Sequence, residues 1–132
     1  FAARRAARTG GGVMVLAIVP PQDFVAFGGV QATIEAEARE HAEELVAAAA
    51  DAIAQEANVT PQIMVKSGKP AEIVRDVIGA NDEIAALVLA TAASGAPGPL
   101  VAHFTGHDAG TLPCPVMLVP GAIDLARLDA LS

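Results

Sequence analysis

Val13 to Val19 (VMVLAIV) is an unbroken aliphatic run, closed in front by Gly10-Gly11-Gly12 and behind by Pro20-Pro21. No other stretch constrains the fold as strongly. It has strand length, well short of the roughly 18 residues that a membrane span needs. A run with no polar alternation suits a strand covered on both faces, as in a parallel sheet flanked by helices. The glycines before it end a helix over residues 2–9 (AARRAART), because glycine readily takes the left-handed conformation that closes helices.

The same alternation continues along the chain. Residues 22–29 form a loop that carries Phe24 and Phe27. Residues 30–57 form a long amphipathic helix, with Ile34, Ala38, Ala42, Leu45, Ala49 and Ile53 on one face. Glu35 precedes Arg39 by four, the favourable order for a helical ion pair worth about 0.3–0.5 kcal/mol. The charges around it read as solvated surface. Residues 61–66 (PQIMVK) form a short strand at a sheet edge, where Pro61 is tolerated. Pro70 opens the next helix, whose buried stripe is Ile73, Val74, Val77 and Ile78. Ile84 to Ala90 is a second apolar strand, and Thr91 to Pro99 is a loop of small residues. A short helix covers Leu100 to Ala109, and Val116 to Val119 is the last strand. Ile123, Leu125, Leu128 and Leu131 mark a short docked helix in the tail.

Helix-containing connections between strands require parallel pairing with right-handed crossovers. The fold expected is therefore an α/β, doubly wound parallel sheet sandwich, read as one domain over residues 1–132. Ligands in such sheets sit beyond the carboxyl ends of strands. The loops after Val19 and Ala90 are the places to look.

Composition narrows the function classes. Hydrophobic residues are 53% and charged residues 17%, the reverse of a disordered chain. The net charge of −7 opposes binding to phosphate backbones. Aromatics are 3%, with no Trp or Tyr to stack on bases. Arg4, Arg5 and Arg8 read as a solvated helix face, so no nucleic-acid partner and no membrane partner is expected. The single cysteine, Cys114, allows no internal disulfide and is consistent with a reducing cytoplasm.

Four stretches resemble the universal stress protein family. AARRAARTGGGVMVLAIVPP is similar to its first helix and second strand. SGKPAEIVRDVI resembles its G-x-P-x-x-x-I opening of the third helix. DEIAALVLA resembles its fourth strand, and LPCPVMLVPG the PCPV lead into its last strand. The order and spacing together carry the likeness. GAPGPLVAHF and the ending PGAIDLARLDALS look like a bacterial subgroup with a degenerate ATP-binding motif. The resemblance implies a five-stranded flavodoxin-like or Rossmann-like fold of the adenine nucleotide alpha hydrolase-like kind. It also implies a cytoplasmic homodimer that serves in stress response, with or without a bound adenine nucleotide. The family's first strand, with its Asp near adenine and ribose, would fall before Phe1. The expectation is thus an N-terminally incomplete domain, or a gap filled by a partner's strand.

Family members that bind ATP carry G-x-x-G, nine residues, then G-S/T. Here the first two glycines correspond to Ala90 and Ala93, and the final pair falls near Ala102-His103. Ser94-Gly95-Ala96-Pro97-Gly98-Pro99 still places glycines and a hydroxyl before a helix, where backbone N–H groups receive anions. Two readings stand: an anion site, or a tight turn with nothing bound. By resemblance, Ile18, Leu89 and Ala90 flank adenine and ribose of ATP, ADP or AMP. Thr91, Ala93, Ser94, Gly95 and Gly98 line the phosphate side.

The chain reads as a binding or signalling module and not as a fast enzyme. No lysine follows the loop, so a Walker-type phosphate clamp is absent. The alternatives are a slow ATP-hydrolysing enzyme and a ligand-free dimeric adaptor. No catalytic residue and no metal ligand is assigned. His103 and His107 share a helical face with Asp108 nearby, a weak zinc pattern that Gly106 interrupts. Cys114, between two prolines, reads as packing. Ser94 lacks the G-x-S-x-G elbow of acyl-transfer enzymes. Val116 to Val119, with the neighbouring tail, is the expected homodimer edge, since an apolar edge strand pairs readily.

Overall fold

The computed structural model describes residues 1–21 and 28–132, with the side chains of residues 28–32 outside the description. Phe24 and Phe27 of the expected loop lie outside the described residues. The chain divides into two compact units, Ala2–Pro70 and Ala71–Ser132, the latter together with Phe1.

In the unit Ala2–Pro70, helix α1 (Ala2–Thr9) leads into strand β1 (Met14–Val19), helix α2 (Gly28–Ala57) and strand β2 (Gln62–Ser67). Gly10 closes α1 at φ 75°, and the Gly11 N–H reaches back to Ala6 O at 3.0 Å. That is the left-handed helix stop expected of the glycine run. Asn58 takes the same role after α2, at φ 53°. Asparagine tolerates this region better than other residues with a side chain. β1 and β2 are parallel, in register from Met14↔Gln62 to Val19↔Ser67. α2 packs on both strands, and α1 packs on α2. Ala3, Ala6, Val19, Ala42 and Val46 are buried.

Two details differ from the sequence reading. Only Val19 of β1 is buried, and the rest of the strand is half-covered. Among the described residues β1 has one paired neighbour, in a two-stranded sheet, which shields it less than a central position would. In α2, Val46 is 3% exposed and Leu45 57% exposed, so Val46 replaces Leu45 in the buried stripe. Adjacent helical residues point about 100° apart, so burying one turns the other outward. On the same helix Arg39 Nε meets Glu43 Oε1 at 3.3 Å, four residues on. α1 is tied to α2 by Arg4 and Glu56 at 3.7 Å.

The second unit holds α3 (Pro70–Ala80) from Ala71 on, β3 (Leu87–Ala90), α4 (Pro99–Thr105), β4 (Val116–Val119) and α5 (Leu125–Leu131). Pro70 opens α3 as expected, and Val74, Val77 and Ile78 are its buried residues. Asn81 closes it by donating Nδ2 to Val77 O at 2.7 Å. β3 pairs with β4 in parallel, from Leu87↔Val116 to Ala90↔Val119. β3 is shorter than the apolar run 84–90. Pro115 O accepts the Leu87 N–H at 3.0 Å, but Pro113 and Pro115 have no N–H with which to extend the ladder backward. α4 contacts both strands and buries Val101 and Phe104.

α4 stops at Thr105, short of the expected Ala109. Gly106 leaves the helix at φ −116°, ψ −90°, and the Asp108 N–H turns back to His103 O at 3.2 Å. α5 is capped by Asp124, which accepts from the Arg127 N–H at 2.8 Å. Of the apolar residues expected to dock it, Ile123 and Leu128 are half-buried, while Leu125 is 75% exposed and Leu131 47%. None of the residues of α5 is buried. The strands therefore form two parallel pairs among the described residues, where the resemblance implies a five-stranded sheet.

Candidate functional site

The loop after β3 is built by its two ends. At the strand end, the Thr91 N–H extends the β3–β4 ladder to Val119 O at 3.0 Å. The Thr91 hydroxyl accepts the Gly121 N–H at 3.1 Å. Gly121 approaches so closely that a Cβ there would stand 2.2 Å from Thr91 O. Across the loop, the Ala92 N–H bonds Pro97 O at 3.1 Å, which closes residues 92–97 into a ring. Gly95 at φ 75° and Gly98 at φ 114° make the turn possible, since residues with a side chain rarely adopt those angles. Pro99 then starts α4 with φ already set for a helix.

Seven of the eight expected ligand residues fall together here. Leu89 and Ala90 end β3, and Thr91, Ala93, Ser94, Gly95 and Gly98 follow directly. Ala93, Ser94 and Gly95 are exposed, while Thr91 and Gly98 are half-buried. The eighth, Ile18, lies in the other unit, in β1 opposite Lys66. The Thr91 hydroxyl already holds Gly121, so it acts first as a brace for the loop. Ala71–Ser132 contains no lysine. An anion in this turn would rest on backbone N–H groups and the Ser94 hydroxyl.

Beyond α4 a polar cluster forms that sequence reasoning recognised only in part. His103 Nε2 lies 2.6 Å from Asp108 Oδ2. Arg75 Nη1 reaches the same oxygen at 2.9 Å and donates to Thr111 Oγ1 at 3.2 Å. The His107 ring lies 5.6 Å from that of His103, although the helix has ended between them. Arg75 was not foreseen, because it comes from α3, far away in sequence. Among the described residues, no group of three or more His, Cys, Asp or Glu side chains is placed to hold a metal ion. Cys114 is a free, half-buried thiol.

The hydrogen bond with His103, and then the Arg75 guanidinium, hold the Asp108 carboxyl below its ordinary value of 3.8. A carboxylate with a depressed folded pKa stabilises the fold above its unfolded pKa. That contribution fades as the pH falls through the folded value. Urea midpoints measured from about pH 5 to about pH 3 should therefore drop more steeply for the native chain than for Asp108→Asn. Parallel pH profiles for the two proteins would refute this assignment.

No helix among the described residues is long and apolar enough to cross a membrane. A search of curated proteins finds no match to the sequence. A solved structure, the universal stress protein UspA from Lactobacillus plantarum, is similar with a TM-score of 0.74. The match covers 89% of this chain and 83% of that one at 18% identity, so it speaks to the fold, which is of the flavodoxin-like or Rossmann-like α/β class. The family model described as "Universal stress protein family" matches residues 1–120. With nine-tenths of its length matched, this chain belongs to the universal stress protein family.

Proposed function

We propose that the chain is a cytoplasmic binding module of the stress response, and that its turn 91–98 receives the phosphate side of ATP, ADP or AMP. The observation that carries this reading is the closed ring from Ala92 to Pro97, with Gly95 inside it and Gly98 just after it at positive φ. Such a turn holds backbone N–H groups in a fixed concavity, which suits anions. Ala90 and Ala93 narrow the approach by one methyl group each compared with the family's glycines. Weak affinity, and contact through Ser94, Gly95 and Gly98 in particular, follow from that. That Ala71–Ser132 has no lysine argues for binding over rapid phosphoryl transfer.

A ligand that binds only the folded state raises its stability with concentration, by about 2.7 kcal/mol at a hundredfold excess over Kd. The melting temperature is therefore expected to rise steadily with ATP, ADP or AMP, and to rise less in Ser94→Ala. A melting curve indifferent to all three would reject nucleotide binding and favour a ligand-free adaptor. One observation supports an adaptor role as well. Leu118 on β4 and Leu125 and Leu131 on α5 are large exposed apolar side chains, at 44%, 75% and 47%. A second copy meeting the β4 edge and tail would cover them in a symmetric homodimer.

A further inference from the structure

Two imidazoles and a fixed carboxylate come together in the unit Ala71–Ser132, around the end of α4. His103 stands in the last turn of that helix, and His107 follows Gly106, where the helix has stopped. Their ring centroids are 5.6 Å apart. We propose that His103 and His107 bind a divalent transition-metal ion of the zinc class, with Asp108 as the positioning residue behind His103.

His103 is prepared as a ligand in advance. Its Nε2 lies 2.6 Å from Asp108 Oδ2, and Arg75 Nη1 reaches the same oxygen at 2.9 Å. These contacts, the one with His103 first, hold the Asp108 carboxyl below its ordinary value, so it is ionised at neutral pH. An ionised carboxylate only accepts hydrogen bonds, so Nε2 carries the proton. In the neutral ring the lone pair then sits on Nδ1. A carboxylate placed in this way behind a histidine fixes its tautomer and makes the ligating nitrogen more basic. The ring plane is held too, edge-on to the buried Phe104 at 4.9 Å and 84°. The turn after α4, where the Asp108 N–H returns to His103 O at 3.2 Å, brings residues 107 and 108 back beside His103. His107 is exposed, so its ring can turn to meet an ion.

The spacing suits one ion shared by the two rings. Zinc–nitrogen bonds of about 2.0–2.1 Å put each ring centroid about 3.2 Å from the metal, so two rings on a tetrahedral ion lie about 5 Å apart. The observed 5.6 Å is a small adjustment away. The donors also select the metal. Arg75 and Asp108 offset each other's charge, which leaves neutral nitrogen to hold the ion. That favours Zn²⁺ over Mg²⁺ or Ca²⁺, which prefer oxygen ligands. Among the described residues no group of three His, Cys, Asp or Glu side chains is placed to ligate, so water or a further ligand completes the coordination.

The test is a calorimetric titration of the whole chain with zinc chloride at about pH 7.5, where unperturbed imidazoles are mostly neutral, with histidine ring resonances followed in parallel. Zinc should bind saturably, one ion per chain. The His103 and His107 signals should shift, and those of His41, exposed on α2 in the other unit, should not. Asp108→Asn should weaken binding by about 10–100-fold, and His107→Ala, which loses a ligand outright, by at least as much. His107 is exposed, so its replacement should leave the melting temperature nearly unchanged. Without metal, the ring nitrogen shifts of His103 should report Nε2–H in the native chain and a mixture of tautomers in Asp108→Asn, which separates positioning of the ring from loss of fold. The proposal is overturned by no saturable binding of zinc, by His41→Ala weakening it as much as His107→Ala, by unchanged affinity in Asp108→Asn, or by magnesium competing for the site with equal strength.

Discussion

Phe104→Ala should destabilise the chain by about 3–5 kcal/mol, the usual cost of truncating a buried aromatic side chain. Phe104 is 1% exposed, the largest fully buried side chain among the described residues. It stands on α4, and its ring meets that of His103 edge-on at 4.9 Å and 84°. Truncation removes the apolar contact and leaves a void that close-packed neighbours fill only in part. A typical domain has only about 5–15 kcal/mol in total. The melting temperature should fall by roughly 10–20 °C. Phe104→Leu should keep more than half of the difference, because it conserves most of the volume. A loss below about 1 kcal/mol for the alanine variant would show that α4 is not anchored through this ring.

Gly121→Ala should cost about 1–3 kcal/mol, and its damage should be local. The added Cβ would stand 2.2 Å from Thr91 O, 2.9 Å from Ala93 N and 3.0 Å from Ala92 C. All three are backbone atoms, so no flexible side chain can swing aside. The ring that begins at Ala92 must move instead. Amide resonances of Thr91 to Ala93 should shift strongly, and any nucleotide-dependent rise in melting temperature should shrink. Gly79→Ala is the matched control. Gly79 lies in α3, exposed, with nothing within 4 Å of an added Cβ. There the same substitution should stabilise by about 0.5–1 kcal/mol, because alanine favours a helix. Equal effects at both positions would contradict the close approach at Gly121.

Much of the fold was legible because it rests on local chemistry. Gly10 ending α1, Pro70 opening α3, and the aliphatic runs of β1 and β4 each signal structure over a few residues. Parallel pairing followed from the helix between successive strands. What escaped the reading depends on groups distant in sequence. Leu45 and Val46 are equally apolar, and only packing decides which one faces inward. The apolar run 84–90 promised a longer strand, but its length is set by the prolines ahead of β4. Arg75 joins Asp108 and His103 only once α3 and α4 are in place. At the candidate site, the run from Ala90 to Gly98 was visible as a glycine-rich turn. Its brace, Gly121 against Thr91, was not, since nothing in a lone glycine tells which carbonyl it will touch.

The parallel register of β1 with β2 has a consequence for how the chain is made. Met14 must wait for Gln62, its partner, across a helix of 30 residues. At synthesis rates of about 5–20 residues per second, that delay is on the order of seconds. Throughout it, the edge of β1 that will pair with β2 is bare. α2, made only of local contacts, has time to form first and offers β1 an apolar surface before any strand arrives. A helix that looks like a mere connector thus shelters β1 until β2 is made.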